Sequence, residues 1–122
     1  MQTLRLNMRS YAAIAAILLL AVNVAQASLL SEQEARSKAV KVLIGDPYGQ
    51  TAGEVAKNIK GARLVLDGNT KACGPMHRPA WEFHVVVVTE NKKQFNNGVI
   101  DGYLALDANT GELLCANLPL LD

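Results

Sequence analysis

The chain has little of what most small enzymes and metal proteins are built from. Its 122 residues hold two cysteines and two histidines. No Cys-x-x-Cys or His-x-x-x-His spacing occurs, so the usual zinc and redox frameworks are excluded. A Gly-x-Ser-x-Gly elbow is missing, as is any other recognisable nucleophile motif. Charge of one sign is not in excess either, with 12 Lys and Arg against 11 Asp and Glu. Basic residues stand singly except for Lys92-Lys93 in a predicted turn, which leaves no electrostatic footprint for nucleic acid or an anionic membrane. There is no low-complexity stretch and no interdomain linker.

One long apolar run is present, and it lies at the start. Arg5 and Arg9 form a positive n-region, Tyr11 to Val24 is apolar, and Ala25-Gln26-Ala27 supplies a small-x-small cleavage site. This reads as an export signal covering residues 1–27, with a mature chain from Ser28. The run is short of the ~20 residues that span a bilayer, so no stable membrane anchor is expected after cleavage. No cysteine lies at the site to take a lipid. Loss of Arg5 and Arg9 takes the formal net charge from +1 to −1. Residues 28–122 suffice for a single small domain, placed in the periplasm or secreted.

That compartment decides how Cys73 and Cys115 read. In an oxidising environment an even cysteine count favours a disulfide. A loop of this length gains about 4 kcal/mol from closure, which matters in a domain this small. The alternative, a redox or metal role shared with His77 and His84, has no motif behind it.

Secondary structure follows from pattern. Ser31-Glu32-Gln33-Glu34 is a capping box that opens a helix, with Ala35, Ala39, Val42 and Leu43 on one face. Gly45 fits the position after the helix, and Pro47 prevents its continuation. Thr51 to Lys60 carries a second helical pattern through Ala52, Val55, Ala56 and Ile59, with Gly61 to stop it. From Ala62 the period becomes two. Arg63 to Asp67 is a predicted strand, and Ala80 to Thr89 a longer one with Trp81, Phe83, Val85 and Val87 on one face. Alternation fades at Val86, which predicts a second half buried on both sides or central in its sheet. Asn96-Asn97-Gly98 turns into Val99 to Leu106, and Asp107 to Gly111 turns into Glu112 to Ala116, an antiparallel meander. Residues 64–70 and 104–110 echo each other, as strand-then-turn segments do.

Helices first, then Trp81-Glu82-Phe83, then a strand, Asp107-Ala108-Asn109-Thr110-Gly111-Glu112 and a last strand: from about Glu32 to Leu114 this resembles a PepSY domain. The resemblance implies one or two N-terminal helices packed on a three- to four-stranded antiparallel sheet, an α+β fold. It also implies a role in binding or restraining a peptidase or another envelope protein, with no catalytic residues and no cofactor. The segment Thr70 to Pro79 departs from the family pattern, being longer and rich in turn formers, and so does the cysteine pair.

Candidate sites are few. Asp107 and Asn109 place oxygens as a calcium loop would begin, but Gly111 stands at its fifth position, and Glu112 and Leu118 fall where such a loop needs Gly and Glu. The segment is read as a structural turn, Asp107 capping it and Gly111 taking a positive φ. Glu82 with Asp101 or Glu112 could pair as acid and base, although a solvent-facing strand shows the same residues. Trp81 reads as core in preference to an exposed anchor. The stiff, proline-flanked loop is the better interface, and Met76, His77 and Arg78 are its predicted contact residues. The expected function is therefore an exported, non-enzymatic binding or regulatory domain. A small-ligand or metal-responsive sensor resting on His77, His84 and the acidic strand face is the alternative.

Overall fold

The structure is a computed structural model that describes residues 28–121. The export signal and its cleavage after Ala27 lie outside the described residues. Two helices, α1 (Glu32–Leu43) and α2 (Ala52–Asn58), precede the strands β1 (Ile59–Val65), β2 (Gly68–Thr70), β3 (Gly74–Met76), β4 (Ala80–Val88), β5 (Val99–Asp107) and β6 (Leu113–Ala116). The order β1-β4-β5-β6 makes a four-stranded antiparallel sheet, and β2 and β3 pair separately. This is an α+β fold. Among the described residues no helix is long and apolar enough to cross a membrane.

The capping box forms as its spacing predicts. Ser31 Oγ accepts from the Glu34 N–H at 3.1 Å, and Glu34 Oε1 accepts from the Ser31 N–H at 3.3 Å. Gly45 then takes a positive φ of 119°. The buried stripe of α1 is Ala35, Ala39, Val40 and Leu43, with Val42 only partly buried. It is wider on the Val40 side than the sequence pattern implies, because α1 packs against α2 as well as the sheet.

Helix α2 ends two residues before the predicted Lys60. Thr51 Oγ1 caps it by accepting from the Glu54 N–H at 3.2 Å. Ile59 then turns into β1, φ −86° and ψ 108°, and carries its side chain into the same core as Val55. The spacing of Val55 and Ile59 serves a helix or a helix-to-strand corner equally well, which is why β1 begins four residues before Arg63. Gly61 sits inside that strand at a register shift rather than at a helix end.

Strand β4 is central. Phe83, Val85 and Val87 are buried toward the helices, and Trp81 packs beside them while its indole N–H donates to the Leu30 carbonyl at 2.9 Å. Burial of its second half on both faces does not occur. Val86 is half-buried and Val88 is 80% exposed. Pairing with β1 stops at Ile59–Val85, so beyond that point β4 has β5 alone beside it.

The meander β4-β5-β6 matches its prediction. Its second turn is built by Asp107, whose Oδ1 accepts from the N–H groups of Asn109 (2.8 Å) and Thr110 (3.1 Å). Gly111 follows with φ 78°. After β6 the chain crosses back, burying Leu118 in the core, and the Tyr48 hydroxyl donates to the Pro119 carbonyl.

Candidate functional site

The segment Thr70 to Pro79 is a hairpin rather than an irregular loop. Gly68, Asn69 and Thr70 pair with Met76, Pro75 and Gly74 around a tip of Lys71, Ala72 and Cys73. Thr70 Oγ1 holds the tip closed, accepting from the Cys73 N–H (2.9 Å) and donating to the Gly74 carbonyl (3.1 Å).

Register shows where the hairpin lies. Glu82 alternates with Trp81 and Phe83, so it points away from the helices, and it stands across from Arg63 on β1 and Ala105 on β5. Ala105 in turn stands across from Cys115 on β6. Cys115 is bridged to Cys73, with a Cα–Cα distance of 5.4 Å. The tip is thereby laid over the face opposite the helices, where Val65, Thr70, Ala80 and Ala105 are buried beneath or within it.

Glu82 is the polar anchor of this contact. Its Oε1 accepts from Arg63 Nη2 at 2.7 Å, and its Oε2 accepts from the N–H groups of Lys71 (2.6 Å) and Ala72 (3.0 Å). The side chain is 2% exposed, against 53% for Arg63. A buried carboxylate is costly unless donors surround it, and here three do. The reading of Glu82 as a carboxylate on a solvent-facing strand surface is therefore corrected, and with it the acid–base pairing. Neither Asp101 nor Glu112 contacts it among the described bonds, and the hairpin covers it. Combining the meander register with a Cys73–Cys115 bridge would have placed the tip over Glu82 from sequence alone.

The predicted contact residues leave the hairpin together. Met76 is half-buried as the last residue of β3, whereas His77 and Arg78 are exposed. Arg78 Nη1 lies 3.5 Å from Asp107 Oδ2, with the guanidinium side 62% exposed and the carboxylate side 13%. The Pro79 carbonyl accepts from the Ala108 N–H at 3.0 Å. His77 and Arg78 are thus presented beside the β5–β6 turn.

Asp107 itself is held ionised. Burial acts to raise its pKa from the ordinary 3.8, but the Asn109 and Thr110 N–H bonds and the nearby Arg78 outweigh it, and the net shift is downward. His84 is elsewhere on the open face, its Nε2 2.6 Å from Asp101 Oδ1 and its ring stacked on Tyr103. Among the described residues no three His, Cys, Asp or Glu side chains converge on a point that could hold a metal ion. Compared with models of protein families, with curated proteins and with solved structures, the chain matches none.

Proposed function

We propose that the protein is an exported, PepSY-like binding domain that restrains or modulates a peptidase or another envelope protein. The observation that carries this reading is the double fastening of the β2–β3 hairpin, by Cys73–Cys115 and by Glu82. A surface held in one geometry loses little conformational freedom on binding, so more of each contact appears as affinity. His77 and Arg78, at the exit of that hairpin, are the contact residues, and their partner is a protein surface carrying acceptors or negative charge. The PepSY assignment draws its support from the order of elements and from the Asp107 to Glu112 turn.

The test is turnover of envelope peptidases with and without purified oxidised protein, wild type against a His77→Ala, Arg78→Ala double variant. A dose-dependent change in turnover that the double variant loses, at unchanged melting temperature, supports the reading. No change in any peptidase of the source envelope, or equal action by both proteins, overturns it.

A further inference from the structure

The hairpin covers only part of the face opposite the helices. Next to its tip lies an open cavity of about 260 Å³, lined by Gly61, Arg63, Lys71, Glu82, His84 and Tyr103. Its origin is one missing side chain. Gly61, His84 and Tyr103 form a single cross-strand row, and a Cβ built on Gly61 would meet nothing within 4 Å. The row therefore has two rings and a gap. The rings are stacked, with centroids 4.7 Å apart and planes 15° apart. Asp101 holds the His84 ring through Nε2, and the Asn117 side chain accepts from the Tyr103 backbone N–H.

Charge in the cavity is unbalanced. Glu82 is already answered by Arg63 and two backbone N–H groups. Lys71 has its N–H committed to Glu82 and its carbonyl accepting from Asn117 Nδ2 at 3.3 Å, which fixes its backbone. Its ammonium stands 5.1 Å over the Tyr103 ring and 3.3 Å from the Tyr103 hydroxyl, and among the described residues it has no carboxylate partner. An anion there would meet an ammonium that has given up nothing to another charge.

We infer that this cavity binds a small aromatic carboxylate. The carboxylate takes the Lys71 ammonium and the outward edge of Arg63, and the flat body fills the space over Gly61 against the His84–Tyr103 pair. The Lys71 ammonium, with no carboxylate to offset it, disfavours a metal ion in the same space. The ring wall offers a flat apolar surface that inorganic phosphate cannot use. The volume lies just below the usual range of ligand sites, which suits a single-ring molecule. This inference is independent of the partner-binding reading, since it uses neither His77 nor Arg78.

The probe is phenylacetate, titrated into the oxidised protein while backbone amide shifts are followed by NMR. Saturable shifts centred on Gly61, Lys71, His84 and Tyr103 are expected below roughly 10 mM, as befits a ligand of so few atoms. Neutral phenylacetamide should bind about tenfold more weakly, and Lys71→Met should cost phenylacetate a similar factor, the value of one charge-assisted hydrogen bond. Gly61→Leu should abolish binding by filling the gap. Both variants should retain the wild-type melting temperature, and Lys71→Met, on the exposed tip, decides alone if Gly61→Leu does not fold. The inference is overturned by the absence of saturation, by equal binding of the amide, by unchanged affinity in Lys71→Met, or by phosphate binding as well as phenylacetate.

Discussion

Replacing Glu82 by leucine removes three acceptor contacts while keeping a side chain of similar bulk. Arg63 then loses its partner and two hairpin N–H groups are stranded under cover, so a loss of about 3–5 kcal/mol is expected in urea unfolding. Glu82→Gln keeps one acceptor oxygen and should lose less. Asp107 contributes in a pH-dependent way. Its folded pKa is lowered from 3.8, so its charge stabilises the fold fully above the unfolded value and the contribution disappears as pH falls through the folded one. Wild type should therefore exceed Asp107→Asn in stability at neutral pH, and the difference should shrink below about pH 4; urea midpoints measured at several pH values check this. Gly111→Ala is strained twice over, by a φ of 78° and by a Cβ that would lie 2.0 Å from Lys38 Cδ. Lys38 can swing aside, so a cost of about 1 kcal/mol is expected from the backbone.

At the scale of elements, what the sequence made legible was local. The α1 capping box, the Asp107 turn and the alternation of β4 each depend on residues within a few positions of one another. What was hidden depended on partners far along the chain. Ile59 obeys a helical spacing and yet leads a strand, because the corner at Asn58 keeps Val55 and Ile59 in one core. The strands β2 and β3 are three residues each and consist of Gly, Asn, Thr, Pro and Met, a composition indistinguishable from turns. Their pairing depends on Glu82 and the disulfide, which no local pattern reports. Prolines flank Met76, His77 and Arg78 and single them out in the sequence, whereas alternation alone assigns Glu82 a face and not its cover. Cys73→Ser, Cys115→Ser opens a bridge across a sequence separation of 42. The expected loss is about 4 kcal/mol in unfolding, with faster amide exchange at Lys71 and Ala72 than at β4.

For the molecule as a whole, the sheet has two differently made faces. The helical face is closed by apolar packing of α1, α2 and the segment after β6. The other is closed by a hairpin through one carboxylate and one disulfide, and is left open at Gly61. Reducing conditions should therefore loosen one face and spare the other: near-ultraviolet signals from Trp81 should persist after reduction while the hairpin amides lose protection.

The end of β6 and the segment after it also gather contacts from distant parts of the chain. Cys115, Leu118 and Pro119 must meet Cys73, the helical core and Tyr48 respectively. Each contact joins residues far apart in sequence. The segment from Cys115 to Pro119 thus works as a clasp, tying the hairpin, the helical core and Tyr48 together within five residues of chain.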